Sequence, residues 1–165
     1  MGVAGAGKTA VGHALAEALH WRFVEGDDYH PRANVEKMSH AVPLTDDDRR
    51  PWLDALRGVI ATTLTNGDHA VIACSALKHA YRETLRVPNA PSGAIRFVYL
   101  DVPRAVLAER LAARQHHFAP PALLESQLDT LERPRDAVWV DGTLPVGSIV
   151  NRVLAALHLS PASSP

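Results

Sequence analysis

Residues Gly2 to Thr9 read G-V-A-G-A-G-K-T, a complete G-x-x-x-x-G-K-[ST] phosphate-binding loop that opens one residue from the start of the chain. Gly2, Gly5 and Gly7 permit backbone angles that a side chain would forbid. Successive N–H groups can then curl around phosphate oxygens. A helix opening near Lys8 adds its positive N-terminal end at the same point. In such a loop the lysine, Lys8, reaches the β- and γ-phosphates and the Thr9 hydroxyl binds Mg²⁺. A glycine-rich tail matching by chance would lack the helical pattern that follows, with Val11, Leu15 and Leu19 on one face and Ala14 and Ala18 beside them. Gly2, Val3, Ala4, Gly5, Ala6, Gly7, Lys8 and Thr9 are therefore the expected binding residues for a nucleoside triphosphate.

Outward from the loop, four nearly continuous apolar segments predict strands covered on both faces: Trp21 to Glu25, Ala70 to Cys74, Ile95 to Leu100 and Ala137 to Val140. Helical patterns lie between them. One runs from Asp48 to Leu64, with Trp52, Leu53, Leu56, Val59, Ile60 and Leu64 at three-and-four spacing and Pro51 in its first turn. Others run from Leu77 to Arg86, Pro103 to Arg114, Pro121 to Leu131 and Val146 to Leu157. Strand alternating with helix predicts an α/β fold with a parallel sheet.

The 165 residues, 47% of them hydrophobic, suffice for one domain with a real core, placed at 1–159 with a frayed tail at 160–165. A net charge of −1 implies no general attraction to nucleic acid or membrane. The apolar runs are far too short to span a bilayer. No secretory signal fits the N-terminus, and the single cysteine, Cys74, suits a reducing cytoplasm. None of the nine histidines sits at zinc-like spacing.

Five further blocks resemble the gluconate kinases of the P-loop small-molecule kinase group: EGDDYHPRANVEKM (25–38), PLTDDDRRPWL (43–53), CSALKHAYRETLR (74–86), RLAARQHHF (110–118) and SQLDTLERP (126–134). The likeness runs from Gly2 to about Leu157, and the blocks in this order are far more specific than the loop alone. It implies a P-loop kinase fold with strand order 2-3-1-4-5, a lid near 110–125, ATP and Mg²⁺ as cofactors, and a homodimer. The reaction implied is phosphorylation of D-gluconate by ATP to 6-phospho-D-gluconate. In that family the residues ahead of the loop form the central strand. Only Met1 to Val3 stand there, so the first strand reads as truncated and the gene product is expected to start upstream of Met1.

On this resemblance Glu25, where the family usually has Asp, keeps a role toward Mg²⁺ through water. Asp27 orients, and as a base deprotonates, the attacking hydroxyl, and His30 touches substrate. Asp46, Asp47 and Asp48 read as structural, since acids near a helix N-terminus stabilise it and Thr45 with Asp48 resembles a capping box. Arg49 is the expected substrate contact of that segment. Lys78, Arg82 and Arg86 recur at i, i+4 and i+8, a cationic stripe that by itself is usually a solvated face. The resemblance makes Lys78 and Arg82 binders of the substrate carboxylate, with Ser75 at the same mouth. Arg110 is expected on adenine and Arg114 on the phosphates as the lid closes. His116 and Ala119 depart from the family pattern in the lid, and Gln127 receives no role. A shikimate kinase-like enzyme is the nearest rival, and a non-catalytic nucleotide-binding protein the more distant one. A GTPase switch is disfavoured by the lack of an N-K-x-D motif.

Overall fold

The computed structural model describes residues 1–40, 42–113 and 121–162. Among the described residues there are four strands: β1 Arg22–Glu25, β2 Ala70–Ala73, β3 Phe97–Asp101 and β4 Ala137–Asp141. The helices are α1 Lys8–Leu19, α2 Arg32–Ser39, α3 Asp46–Thr65, α4 His79–Leu85, α5 Arg104–Ala112, α6 Pro121–Thr130 and α7 Val146–Leu157, with a 3₁₀ turn at Gly26–Tyr29. The expected α/β architecture with parallel strands is found.

Local chemistry sets the helix ends. Gly7, with φ +94°, turns the chain into α1, a left-handed angle at which glycine carries no Cβ penalty. At α3 the Thr45 hydroxyl accepts the Asp48 N–H while the Asp48 carboxylate accepts the Thr45 N–H, a reciprocal capping box. This helix opens two residues earlier than expected. Pro51 thus lies past the first turn and deprives the Asp47 carbonyl of its helical partner. The α2 helix and the 3₁₀ turn were not foreseen, because the segment is short and polar and offers no apolar period.

β1 pairs with β2 in parallel, Arg22 opposite Ala70 through Glu25 opposite Ala73. β3 pairs with β4 in parallel, Phe97 opposite Ala137 through Asp101 opposite Asp141. The pairs are joined through the first two residues. Met1 donates its amino group to the Val98 carbonyl and accepts the Leu100 N–H at 3.1 Å, while Gly2 donates to the Ser75 carbonyl at 3.2 Å. The phosphate loop is thereby pinned between the carboxyl ends of β2 and β3. An apolar cavity of about 680 Å³ lies between the pairs, lined by Leu15, Leu56, Val71, Phe97, Val98 and Val153 among others.

Two apolar clusters flank the strands. One gathers Val3, Leu15, Leu19, Leu100, Leu107 and Val153 under the phosphate loop. The other joins Trp52, Leu56, Cys74, Tyr81 and Leu85 where α3 packs on α4. Cys74 is buried in this second cluster, and burial pushes its thiol up to about 12, so it is a packing residue and not a nucleophile. Among the described residues no helix is long and apolar enough to cross a membrane.

Candidate active site

The loop from Gly2 to Gly7 wraps the N-terminus of α1. A methyl group on Gly5 would press on the Leu107 carbonyl and the Leu111 side chain, each at 3.3 Å. Close packing of α5 therefore holds the loop in shape. Lys8 Nζ donates to the Val3 carbonyl at 3.2 Å across the loop. The Thr9 hydroxyl donates to Glu25 Oε2 at 2.7 Å. That bond joins the two residues expected to serve Mg²⁺, one from α1 and one from the end of β1. A hydroxyl beside a carboxylate is an all-oxygen donor set that fits a hard divalent cation such as Mg²⁺. Gly26 then passes so near β2 that a Cβ there would lie 2.3 Å from the Ala73 carbonyl oxygen. Only glycine lets the chain turn so tightly after β1 and lift Asp27 and Asp28 into the exposed 3₁₀ turn.

The segment after Asp27 is docked on α3. The Trp52 indole N–H donates to the Gly26 carbonyl at 2.8 Å, and His30 stacks on Trp52 with ring centres 4.3 Å apart. Asn34, itself buried, donates to the Asp48 carbonyl at 2.7 Å. Burial pulls the His30 pKa below its ordinary value against the opposing pull of Asp27, with Arg49 adding to the fall. His30 is thus a wall of the site more than a charged contact.

Opposite this wall stands a cluster of donors. Arg49 Nη1 donates to the Leu44 carbonyl at 2.7 Å and to the Tyr81 hydroxyl at 3.3 Å. Lys78 Nζ donates to both oxygens of Asp46, at 2.9 and 2.7 Å. The Tyr81 hydroxyl donates to the same Asp46 carboxylate. Arg49 and Lys78 each lie 5.6 Å from the centre of the Tyr81 ring. The hydrogen bonds from Lys78 and Tyr81 hold the Asp46 carboxyl below its usual range, and Asp46 in turn raises the Lys78 pKa.

The expected cationic stripe on α4 is corrected. The helix covers only His79–Leu85, Lys78 is its extended N-cap and Arg86 its extended C-cap. Lys78 therefore points by the geometry of its loop, where Ala76 is held at φ +45°. Arg82 departs from the expected substrate contact. It is 2% exposed and donates to the carbonyls of Ala76, Leu77 and Glu132, at 3.1, 3.2 and 3.3 Å. Arg86 bonds Asp136 at 2.6 Å and Glu83 at 2.9 Å. Arg82 braces the loop from behind, and Arg86 ties the end of α4 to Asp136.

Arg110 donates to the Gly142 carbonyl at 2.9 Å and to the Gly5 carbonyl at 3.4 Å, beside the phosphate loop. Arg114, His116 and Ala119, with the body of the expected lid, lie outside the described residues. Gln127 gains a place: its side-chain oxygen accepts the Ala4 N–H at 2.6 Å, tying α6 to the loop. The Tyr81 hydroxyl carries no signal in the sequence, because spacing reports which face a residue occupies, not what its polar tip meets.

A family model described as an AAA domain matches residues 1–134. A gluconokinase of Gluconobacter oxydans is 52% identical over 136 residues, covering 82% of this chain and 75% of that protein. The crystal structure of a gluconokinase from Sinorhizobium meliloti superposes with a TM-score of 0.84 at 46% identity, covering 96% of this chain and 89% of that one. A shikimate kinase from Bacteroides thetaiotaomicron shares the fold, with a TM-score of 0.70, but only 19% identity.

Proposed function

The chain belongs to the gluconokinases, P-loop kinases that include the Gluconobacter and Sinorhizobium proteins, and from that membership and the site geometry we propose how its residues perform the reaction. It is an ATP-dependent kinase that converts D-gluconate to 6-phospho-D-gluconate. The observation that supports the reading is the bond between Gly2 and Ser75, which ties the phosphate loop to the segment that carries Lys78.

The loop N–H groups and Lys8 bind the β- and γ-phosphates, and Lys8 offsets charge that builds up as the γ-phosphoryl group moves. Thr9 and Glu25 would hold Mg²⁺, which when bound would supply further charge neutralisation at these phosphates. Arg49 and Lys78 take the carboxylate of gluconate, while Ser75 and His30 line its path. Asp27 orients the terminal hydroxyl and accepts its proton as the hydroxyl oxygen bonds to the γ-phosphorus. The bond from that phosphorus to the bridging oxygen breaks and ADP leaves. Phosphoryl transfer needs positioning and charge stabilisation more than a strong base, which suits an exposed carboxylate on a short rigid turn. Arg110 and Arg114 serve the nucleotide side. The enzyme acts in the cytoplasm as a homodimer, a state that analytical ultracentrifugation would test.

A coupled ADP-release assay with gluconate and shikimate in parallel tests the reading. Turnover of gluconate that disappears in Lys8→Ala is expected. Turnover of shikimate alone would overturn it.

A further inference from the structure

Asp46 was read from the sequence as a helix-end acid, yet its side chain turns away from that duty. Asp48 carries the capping box, and Asp47 pairs with Arg50 at 3.1 Å. The Asp46 carboxylate instead collects Lys78 on both oxygens, the Tyr81 hydroxyl on one, and Arg49 at 3.7 Å. Two cations and a hydroxyl converging on one carboxylate have the donor composition of a carboxylate-binding site. The carboxylate they hold belongs to the chain itself.

We propose that Asp46 is a specificity-determining residue: its carboxylate is an internal competitor for the donors that recognise the substrate carboxylate, and it tunes the affinity of the site for an anionic sugar acid. The proposal rests on the assignment of Arg49 and Lys78 to the gluconate carboxylate. Its physics is a two-state exchange. With Asp46 engaged, Lys78 and Tyr81 are committed. With Asp46 turned to solvent, they are free to bind. Asp46 is 58% exposed on the first turn of α3, so a change of side-chain rotamer alone would release it. Apparent affinity falls by the fraction of molecules in which the donors are free. An exposed ion pair is modest in strength. The brake is therefore mild, and substrate anion at working concentration overcomes it. The same competition favours product release, since Asp46 reclaims the donors as the phosphorylated acid departs.

The test is equilibrium titration of gluconate by calorimetry, with steady-state KM values, on the full chain. Asp46→Asn and Asp46→Ser should each tighten gluconate about threefold to tenfold and leave the KM for ATP unchanged. Asp46→Glu, which restores the charge, should bring the affinity back toward that of the parent. Unchanged or weakened gluconate binding in both neutral variants overturns the proposal, as does a Glu variant as tight as the Asn variant. Lys78→Met separates the two layers of the argument. A raised KM for gluconate there upholds the assignment of the cluster whatever Asp46 does. An unchanged KM overturns the assignment and the proposal together. Thermal melts of each variant ensure that binding is compared among folded proteins.

Discussion

Lys78 and Arg82 are both cations, four residues apart, and a helical wheel puts them in one stripe. Their fates are opposite. Lys78 has an extended backbone before α4, keeps 31% of its side chain exposed and meets Asp46 in the mouth. Arg82 lies inside α4, is 2% exposed and spends its guanidinium on three backbone carbonyls. One charge is available to a ligand and the other is consumed by the fold. Arg82 satisfies the carbonyls of Ala76 and Leu77 in the loop that carries Lys78. The buried cation thus shapes the loop from which the open one reaches. Equal spacing and equal charge do not make equal function, because burial decides what a charge can still bind.

The sharpest way to break this contrast is at Lys8, proposed above to bind the phosphates. Lys8→Ala should lower kcat roughly 10²- to 10³-fold and leave the melting temperature almost unchanged. Parallel losses of activity and stability would place Lys8 with Arg82. Arg82→Met should do the reverse. Orphaning the carbonyls of Ala76, Leu77 and Glu132 should cost about 3 kcal/mol or more in chemical denaturation. The KM for ATP of the folded fraction should stay near that of the parent. Lys78→Met should raise the KM for gluconate roughly tenfold, a loss of about 1.4 kcal/mol, with little change in stability. A drop in stability matching that of Arg82→Met would erase the contrast.

Smaller effects are expected at the cap that orients Arg49. Thr45→Ala should destabilise by about 1 kcal/mol. Asp48 has its carboxyl lowered from 3.8 to about 2, chiefly by the hydrogen bond from Lys37 and then by those of Thr45. A depressed folded pKa means the unfolded chain binds the proton more readily. The stabilisation is therefore complete above pH 3.8 and is lost as the pH falls through about 2. Acid titration of the melting temperature should show this loss, and Asp48→Asn should flatten the curve between those pH values.

Much of the site was legible because its chemistry is local. The spacing of glycines, lysine and threonine in Gly2 to Thr9 dictates a nest of N–H groups whatever surrounds it. Glu25 ends β1 and Asp27 follows in the next turn, as expected from the apolar run that precedes them. The Thr45–Asp48 capping box was likewise visible, since its partners are three residues apart. What failed was read from helical period alone. The α4 pattern ran on through Lys78 and Arg86, but the helix stops short of both, each of which has an extended backbone. Gln127 carried no local signal at all. Its partner, the Ala4 N–H, is more than a hundred residues away in sequence.

The amino-acid sequence by itself determined the phosphate loop, the alternation of strand and helix, and the family, because these depend on residues that are neighbours along the chain. Only the tertiary structure decided which charges face the mouth and which brace it, that Asp46 and not the solvent holds Lys78, and that Met1 bonds β3 while Gly2 bonds the loop after β2. Those outcomes depend on which groups lose water when distant segments pack together. Desolvation is a property of the assembled molecule, and no short stretch of sequence encodes it.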